Sequence, residues 1–491
     1  MPRRNLSLLL PHARATDKDP IISGVTEDPR AVGPGNLYAA LPHSDIHDYR
    51  YDGRQFIEQA IAAGAAAILT QTGTSQPASC TIPFITSDNA RQMFGSVAAT
   101  FFGEQPKMLA AVTGTNGKTS TAQFLRDLWA QAGQRAASIG TLGLVAPHLT
   151  RPSGGNTTPD PATLYRTLAM LVENSVSHCV FEASSHALDQ YRVHAAKIKV
   201  AGLTNMTGDH LDYHGSLQNY RAVKMRLFTE VLPLNATAVI NADTPEFAFV
   251  YTDITKAGRN VVSYGHAGAD ITLLDTKRLG HGQRLTLRAW DSLYTVDLPL
   301  IGQFQAENAL CALGMAVASG EPATSTVANL TNLAPVRGRL ERVGNSNVYV
   351  DYAHTPDALE NALKTLRPHT SGKLHVVFGC GGNRDPAKRP AMGRIAAALA
   401  DHVIVTDDNP RHENPAAIRA GIMAAASGAD EIPSRSHAIM EAIAAMKPGD
   451  VLLVAGKGHE QGQTVGDDVI PFDDAEIVRF ALGQPLKVET A

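Results

Sequence analysis

Cysteines are few and scattered in this sequence, and long apolar runs are missing. Four cysteines occur among 491 residues and none forms a C-x-x-C pair, so we expect buried thiols in a reducing compartment. No stretch approaches the length of a membrane span. The apolar run from Leu8 to Leu10 is too short for the core of a signal peptide. These absences predict a cytoplasmic protein without a membrane span.

Charge of either sign is not concentrated in a block. The formal net charge is −4 and no basic tract is present, so no nucleic-acid partner is expected. Apolar residues make up 44% of the chain and charged residues 18%, which is typical of a soluble globular protein. Because 491 residues are too many for a single core, we expect two to four domains.

A phosphate-binding loop is predicted between a strand and a helix. The apolar run from Met108 to Val112 predicts a buried strand, and the residues after the loop form an amphipathic helical pattern that stops at Gly133. Backbone N–H groups and Lys118 would face the phosphates of a nucleotide, and Thr119 would offer its hydroxyl to Mg²⁺. The candidate nucleotide-binding residues are Gly114, Thr115, Asn116, Gly117, Lys118, Thr119 and Ser120.

The loop also has an alternative interpretation. Val112 stands where the first glycine of the common G-x-x-x-x-G-K-[ST] pattern would be. A glycine-rich turn with a surface lysine would produce the same letters. The flanking strand and helix favour the phosphate loop.

The segments before and after this region differ in how clearly their sequences indicate a fold and a function. Residues 1 to about 105 alternate short strands and helices without a catalytic motif, so a binding domain is expected. After residue 335, apolar runs at 374–378, 402–407 and 451–455 alternate with helical stretches and predict a doubly wound parallel sheet. Loops 379–388, 408–415 and 456–462 follow these runs, and we expect all three to meet at one crevice.

An acidic and histidine cluster follows the phosphate loop. A strand run from His178 would carry Glu182 toward the nucleotide, and a second run would do the same for Asp209 and His210. Carboxylates at neighbouring strand ends are where phosphate-loop ATPases hold Mg²⁺. Histidine is a less usual ligand for this hard cation, and any single histidine is more often a surface residue.

Six motifs in order along the chain resemble those of the Mur ligase family, in its diaminopimelate-adding branch. They are Gly114 to Thr119, Glu182 to His186, Asp209 to Gly215, Asp351 to Pro356, Asp408 to Arg411 and Gly456 to Glu460. The first motif also occurs in folylpolyglutamate synthases, whereas the last two are much more selective.

The resemblance implies an α/β fold of three domains. These are a UDP-muramyl substrate domain at 1–105, a central ATP-binding phosphate-loop domain with a parallel sheet at 106–334, and a Rossmann-like amino-acid domain at 335–491. The implied enzyme is a monomeric ATP-dependent ligase of peptidoglycan synthesis. It would join meso-2,6-diaminopimelate to the D-glutamate side chain of UDP-N-acetylmuramoyl-L-alanyl-D-glutamate through an acyl phosphate.

The resemblance also implies roles for individual residues. Lys118, Lys224, Glu182 and His210 would be catalytic, and Thr119, Glu182, His210 and a CO₂-derived carbamate on Lys224 would serve Mg²⁺. Asn308, Arg339 and Asp351 would contact ATP. The muramyl peptide would be held by Asn156, Thr157, Thr158, Ser184, Gln190 and Arg192. The incoming amino acid would meet Arg384, Asp408, Asn409, Pro410, Arg411, Gly456 and Glu460.

Several positions depart from the pattern or have plainer interpretations. Gln305 stands where the family often has asparagine, Pro29 where a serine commonly contacts the uridine nucleotide, and the segment from 43 to 51 looks expanded. From the sequence alone, Lys224 would be a solvated lysine on a helix and Arg411 a solvated loop arginine. A carbamate on Lys224 requires a neutral amine and hence a depressed pKa.

Three rival functions remain open. A folylpolyglutamate synthase and a lysine-adding ligase share the chemistry but use other amino acids. A phosphate-loop regulatory or scaffold protein would bind ATP without forming an amide. Arg411 favours diaminopimelate, because its planar guanidinium could grip the second carboxylate, which lysine lacks.

Overall fold

The protein, described here by a computed structural model, folds into two compact units. The structure describes residues 2–10, 18–42 and 52–485. The first unit runs to Asp275 and also includes Leu285–Val296 and Glu307–Leu330, and the second consists of Thr276–Arg284, Asp297–Ala306 and the chain from Thr331 onward. The segment from 43 to 51 lies outside the described residues, and the domain limits at 105 and 334 stay predictions.

The N-terminal part of the first unit contains two small sheets, the first with two antiparallel strands. Its elements are β1 (Arg4–Asn5), α1 (Leu6–Leu9), β2 (Ile21–Ile22), β3 (Gly24–Thr26), β4 (Asn36–Ala40), α2 (Ile57–Ala62), β5 (Ala67–Gln71), β6 (Phe84–Ser87) and α3 (Ala90–Phe102). Strands β3, β4, β5 and β6 pair in that order and are parallel. A 3₁₀ turn at Gly53–Phe56 leads directly into α2.

The remainder of the first unit is built on a large sheet. The strands are β7 (Met108–Thr113), β8 (Ala136–Gly140), β9 (Gly143–Ala146), β10 (Leu149–Arg151), β11 (His178–Glu182), β12 (Val200–Leu203), β13 (Thr237–Asn241), β14 (Asn260–Gly265), β15 (Ile271–Leu279), β16 (Gly282–Ala289) and β17 (Ser292–Leu298). The helices are α4 (Lys118–Gln131), α5 (Pro161–Glu173), α6 (Ser185–Asp189), α7 (Leu211–His214), α8 (Leu217–Arg226), α9 (Phe247–Lys256), α10 (Gln303–Ala318) and α11 (Ala323–Asn329).

Strand β7 lies between β11 and β12 in the eleven-stranded order β10-β9-β8-β11-β7-β12-β13-β14-β15-β16-β17. Both neighbours are parallel to it, with Glu182 opposite Val112 and Leu203 opposite Thr113. The carboxyl ends of the three strands therefore share one edge of the sheet. The phosphate loop, Glu182 and the segment after Leu203 all begin at that edge.

The second unit contains a sheet of its own. Its later elements are β18 (Glu341–Arg342), β19 (Val348–Asp351), α12 (Pro356–Leu366), β20 (Leu374–Phe378), α13 (Lys388–Leu399), β21 (His402–Val405), α14 (Pro415–Met423), β22 (Asp430–Glu431), α15 (Arg435–Ala445), β23 (Val451–Ala455), β24 (Gly462–Val465), β25 (Asp468–Pro471) and α16 (Asp474–Ala481). The sheet order is β18-β19-β23-β20-β21-β22, and the five strands from β19 to β22 in this order are parallel.

The central strands of this sheet are buried on both faces. Val376 and Phe378 belong to one apolar cluster, whereas Val377, between them in sequence, belongs to another. Side chains alternate between the two faces of a strand, so these clusters are the two covered faces of a doubly wound sheet. The predicted Rossmann-like arrangement is confirmed.

Most predicted elements agree with the structure within a few residues. The strand expected to reach Asp407 ends at Val405, because Thr406 Oγ1 and Asp407 N both donate to Pro433 O instead. All four cysteines are free and buried, as expected. Among the described residues, no helix has both the length and the apolar character that a membrane crossing needs.

A fully buried ion pair ties the last helix to the second sheet. Arg435 and Asp474 have completely buried side chains and make two hydrogen bonds of 2.7 Å, and Arg435 Nη2 also donates to Ala455 O at 2.9 Å. Removing one member would leave the other charge buried without its counter-ion, which costs about 3–5 kcal/mol.

We expect Asp474→Ala to lower the thermal midpoint of the second unit by several degrees, measured by calorimetry. The matched control is Asp297→Ala, whose carboxylate pairs with Arg284 at the surface and is screened by water. The control should unfold at nearly the same temperature as the unaltered protein. Equal shifts in the two variants would contradict the special contribution of the buried pair.

Candidate functional site

The predicted phosphate loop has the backbone that its sequence requires. Gly117 precedes α4 with φ +86°, a conformation that glycine adopts readily, and a Cβ there would collide with Asn308 Oδ1. Thr115 N donates to Asn205 O (2.9 Å) and Asn116 N to Asn205 Oδ1 (3.0 Å), so the segment after β12 braces the loop. Asn308 therefore lies against the loop.

Two lysines converge on this loop. Lys118 Nζ donates to the carbonyls of Gly114 and Thr115, both at 2.9 Å, and Lys224 Nζ donates to the Gly114 carbonyl at 2.8 Å. Two ammonium groups that share one carbonyl oxygen repel each other and favour an anion between or beside them. The lysines are thus placed to receive negatively charged phosphate.

Lys224 is buried, which corrects its interpretation as a solvated lysine. It is 1% exposed on α8, beneath the ring of Tyr220, whose centroid lies 4.7 Å from Nζ. Burial, and then the charge of Lys118, lowers the pKa of Lys224 well below its usual value, while Asp209 acts in the opposite direction. Tyr220 is fixed in turn by a 2.9 Å hydrogen bond to Thr115 Oγ1.

Glu182 lies directly beside the phosphate loop. Its buried carboxylate accepts hydrogen bonds from Thr119 Oγ1 (3.0 Å), Thr141 N (2.8 Å) and Thr141 Oγ1 (3.2 Å). Thr141 was not identified from the sequence, because it follows β8 and meets Glu182 only through the strand order. A hydroxyl and a carboxylate side by side are oxygen donors of the kind that Mg²⁺ prefers.

The four predicted metal residues do not form one cage of side chains. Thr119 and Glu182 are joined by a hydrogen bond, whereas His210 and Lys224 line a cleft. Within residues 2–10, 18–42 and 52–485, no group of three or more His, Cys, Asp and Glu side chains is arranged to hold a metal ion. The donor set fits an Mg²⁺ that takes most of its ligands from phosphate and water.

The cleft brings the phosphate-loop lysine together with the predicted peptide-binding residues. Its lining contains Lys118, Gly155, Asn156, Thr157, Thr158, Ser184, Ser185, His186, Arg192, Asp209, His210, Tyr220 and Lys224. Gln190 is buried and does not line the cleft itself. Its Oε1 accepts a hydrogen bond from Nη2 of the lining residue Arg192 at 2.8 Å. Five of the six residues predicted for the muramyl peptide therefore line one surface.

A hydrogen-bond network sets the shape of this cleft. Thr158 Oγ1 donates to Glu182 O (2.7 Å) and accepts from Ser184 N (3.0 Å), and Arg192 Nη1 donates to Thr158 O (2.8 Å). The same strand end thus supplies Glu182 on one side and the peptide-binding residues on the other.

The histidines of the cluster stack against one another. The ring centroids of His186 and His210 are 4.5 Å apart, and His210 Nε2 lies 3.4 Å from Asp209 Oδ2. Burial, and then the neighbouring His210 and His214, lowers the pKa of His186 to about 3. His186 is therefore neutral near pH 7.

In the second unit, three loops meet at the carboxyl edge of the sheet. Strand ends Asp351, Ala455, Phe378 and Val405 are aligned in register. Arg411 Nη1 donates to Gly382 O (2.9 Å) and Asn409 Nδ2 donates to Glu460 Oε2 (2.7 Å), so each loop contacts another. The expectation that these loops crowd one crevice is confirmed.

The predicted amino-acid residues form a surface of mixed charge. Arg411 is half-buried with φ +51°, a strained conformation for a residue with a side chain, and its backbone pairs with the β24–β25 hairpin at Thr464 O and Gly466 N. Burial, and then the charge of Arg384, lowers the pKa of Arg411, while Asp408 and Glu460 raise it. Pro410 and Gly456 are buried beside them.

Arg339 and Asp351, the other two residues predicted to contact ATP, lie close together in this unit. The guanidinium of Arg339 stacks on Tyr352, 4.6 Å from its ring centroid. Burial raises the pKa of Asp351 to about 6, although Arg339 and the backbone N–H groups of Leu340 and Ala353 lower it. Gln305, which departs from the family pattern, donates to Arg339 O at 3.1 Å and so helps to fix the backbone of Arg339.

Glu27 and Arg91 are neighbours of the cleft that the sequence did not single out. Burial raises the pKa of Glu27 to about 7, Asp160 adds to the effect, and Arg192 and Arg91 oppose it. The adjacent Asp28 behaves oppositely, because hydrogen bonds from Arg30 lower its pKa. Pro29, which departs from the family pattern, starts a 3₁₀ turn that Asp28 caps.

Comparison with known proteins relates both units to one family. Residues 112–316 match the Mur ligase middle domain, and residues 338–458 match the Mur ligase glutamate ligase domain. UDP-N-acetylmuramoyl-L-alanyl-D-glutamate–2,6-diaminopimelate ligase of Caulobacter vibrioides is 48% identical over 465 residues, which cover 93% of this chain and 94% of that protein.

Solved structures give the same relationship. A ligase with the same name is 32% identical, with a TM-score of 0.71 and coverage of 98% of this chain and 99% of that one. A folylpolyglutamate synthase of Mycobacterium tuberculosis, solved with ADP, is 20% identical with a TM-score of 0.59 over 74% of this chain and 91% of that one. The second likeness concerns the fold alone.

Glu27→Gln should stabilise the protein at pH 8 more than at pH 5. A native pKa near 7 exceeds the usual value, so the ionised carboxylate destabilises the folded state above pH 7, and this penalty shrinks as the pH falls. Thermal unfolding at several pH values would measure the difference. Asp28→Asn is the control, because its lowered pKa keeps it ionised from pH 5 to 8 and its effect should be constant there.

Proposed function

Because this chain belongs to the Mur ligase family, we propose that it is an ATP-dependent ligase that adds meso-2,6-diaminopimelate to UDP-N-acetylmuramoyl-L-alanyl-D-glutamate. The family predicted from the motifs is confirmed, and the reaction belongs to peptidoglycan synthesis, with consequences for cell shape and division. The proposal rests above all on one cleft that holds Lys118 together with the predicted muramyl-peptide residues. The buried, free thiols support a cytoplasmic location, and we expect a monomer.

The first step joins the γ-phosphoryl group of ATP to the D-glutamate side-chain carboxylate. A carboxylate and an amine do not condense in water. The carboxylate oxygen that must leave is therefore first phosphorylated, so that it can depart as part of phosphate. Both reactants are anions, and the transfer mainly requires positioning and charge neutralisation. Lys118, whose Nζ lies at the Gly114 carbonyl, supplies positive charge at the mouth of the loop. Arg192, Thr158 and Ser184 would hold the peptide beside it.

Mg²⁺ and a carbamate on Lys224 complete the proposed phosphate site. Thr119 and Glu182 would hold one ion, which neutralises phosphate oxygens when bound. A neutral amine attacks CO₂ and loses a proton to give the carbamate, and burial, which lowers the pKa of Lys224, favours the neutral form. The product would be an oxygen anion close to His210 in the same cleft. Asn308 would contact the nucleotide from α10, and Arg339 and Asp351 are assigned to ATP as well.

The second step uses the free amine of the incoming amino acid. The amine attacks the acyl carbon, a tetrahedral intermediate collapses, and phosphate leaves as the amide forms. We assign recognition of diaminopimelate to the crowded crevice of the second unit. Arg411 and Arg384 repel each other and so favour a carboxylate, whereas Asp408 and Glu460 favour the second ammonium. Asn409, Pro410 and Gly456 would shape this surface.

The direct test is ADP release by the purified protein with the uridine-linked dipeptide and ATP. We expect strong stimulation by meso-diaminopimelate and little by L-lysine, which has no second carboxylate for Arg411. Preference for L-lysine would identify a lysine-adding ligase, and stimulation by glutamate on a folate substrate would identify a folylpolyglutamate synthase. ATP binding without amino-acid-dependent ADP release would favour a regulatory protein.

Arg411→Ala should raise the KM for meso-diaminopimelate about 10- to 100-fold, since hydrogen bonds to a charged group contribute about 1.5–3 kcal/mol. The KM for ATP should stay within about twofold, because Arg411 is not among the residues assigned to the nucleotide. Steady-state kinetics with each substrate varied separately would measure both. Arg394→Ala, which removes an exposed arginine of the same unit, is the matched control. Parallel changes in both KM values would oppose this assignment.

Lys224→Ala should reduce turnover at least about 10³-fold, because it removes both the buried amine and the proposed carbamate oxygens. Adding bicarbonate or a small carboxylic acid should restore part of the activity by filling the vacated space with an oxygen anion. Lys256→Ala, at an exposed position on α9, should remain fully active. A variant that folds normally yet cannot be rescued by any small acid would argue against the carbamate.

A further inference from the structure

Lys457 is a completely buried lysine at the centre of the second unit's crevice. Its side chain is 0% exposed, and Nζ donates to Asn409 Oδ1 (2.9 Å), Glu460 Oε2 (3.1 Å) and Gly462 O (2.6 Å). An ammonium group has three N–H donors, so these three acceptors satisfy all of them. Burying such a charge costs several kcal/mol unless its partners are well placed.

The partners of Lys457 are the residues proposed to meet the substrate. Asn409 Oδ1 also accepts from Thr464 N (2.9 Å), and Asn409 Nδ2 donates to Glu460 Oε2 (2.7 Å). The orientation of the Asn409 amide is thereby fixed on both sides. The β24–β25 hairpin joins this arrangement through Gly462 O, and Gln463 Nε2 donates to Asp408 O at 2.6 Å.

Glu460 is held by one of its two carboxylate oxygens. Both Lys457 and Asn409 donate to Oε2, and the side chain is still 31% exposed. A carboxylate fixed at one oxygen presents the other in a defined direction. Without Lys457, rotation about the side-chain bonds would spread that direction over several rotamers.

We propose that Lys457 is a positioning residue that, together with Asn409, aims the carboxylate of Glu460 at the second ammonium group of the incoming diamino acid. This inference rests on the proposed function and assigns to its amino-acid site a determinant that recognises the far amine. Lys457 does not touch the substrate. Glu460 is 31% exposed, so losing Lys457 does not leave a fully buried charge without its counter-ion, and the consequence should appear in recognition.

The test compares two substrates that differ only in the far amine. We expect Lys457→Met to raise the KM for meso-diaminopimelate about tenfold. The KM for 2-aminopimelate, which keeps both carboxylates but has one amine, and the KM for ATP should change less than about twofold. The matched control is Lys364→Met, which removes an exposed lysine paired with Glu360 on α12. This control should behave like the unaltered protein with every substrate.

A second variant guards against misfolding. Lys457→Gln keeps a hydrogen-bond donor and should give a smaller rise in the KM for meso-diaminopimelate. In a Glu460→Gln background, Lys457→Gln should add little, because both changes would remove the same interaction.

The possible results distinguish a failure of the positioning role of Lys457 from a failure of the proposed function. Equal loss with meso-diaminopimelate, 2-aminopimelate and ATP, or unfolding of both Lys457 variants, would overturn the positioning role and leave the proposed reaction intact. If the unaltered protein does not use meso-diaminopimelate at all, the proposed function is wrong and the inference falls with it.

Discussion

The arrangement of the first unit depends on two ammonium groups meeting at one carbonyl oxygen. Lys118 begins α4, and Lys224 belongs to α8, yet both donate to Gly114 O. Repulsion between them is strong because the surroundings are partly desolvated. The fold has two ways to relieve it: Lys224 can lose its proton, or an anion can bind. The lowered pKa of Lys224 is evidence for the first, and the glycine-rich loop provides for the second.

In both units, parallel strands end at the same edge of the sheet and bring functional residues together there. In the first unit, β11, β7 and β12 end together and place Glu182, the phosphate loop and Asn205 at one edge. In the second, β19, β23, β20 and β21 end together, and Arg411 and Arg384 repel each other there as the two lysines do. Each unit thus concentrates positive charge at strand ends, where helix N-termini also favour anions. Both sites also hold buried carboxylate and amide groups, Glu182 and Asn308 in the first and Asp408 and Asn409 in the second.

The sequence predicted the elements well but the partners of individual side chains poorly. Apolar runs with loops at their ends were sufficient to place Glu182, the phosphate loop and the three loops of the second unit. Lys224 was misjudged, because its burial results from contacts with residues about 110 positions earlier in the chain. Thr141 and Lys457 were overlooked for the same reason. Periodicity reveals which face of a helix or strand is apolar, but it does not reveal which distant segment covers a polar side chain.

Two departures from the family pattern, Gln305 and Pro29, have a use in the local structure. Gln305 reaches the carbonyl of Arg339 with its longer side chain, and Pro29 begins a capped 3₁₀ turn. Arg411 shows the opposite constraint, because its left-handed backbone is stabilised by hydrogen bonds on both sides to the β24–β25 hairpin. The hairpin also fixes Asp408 and Asn409, so the strain at Arg411 and the orientation of its neighbours have one structural cause.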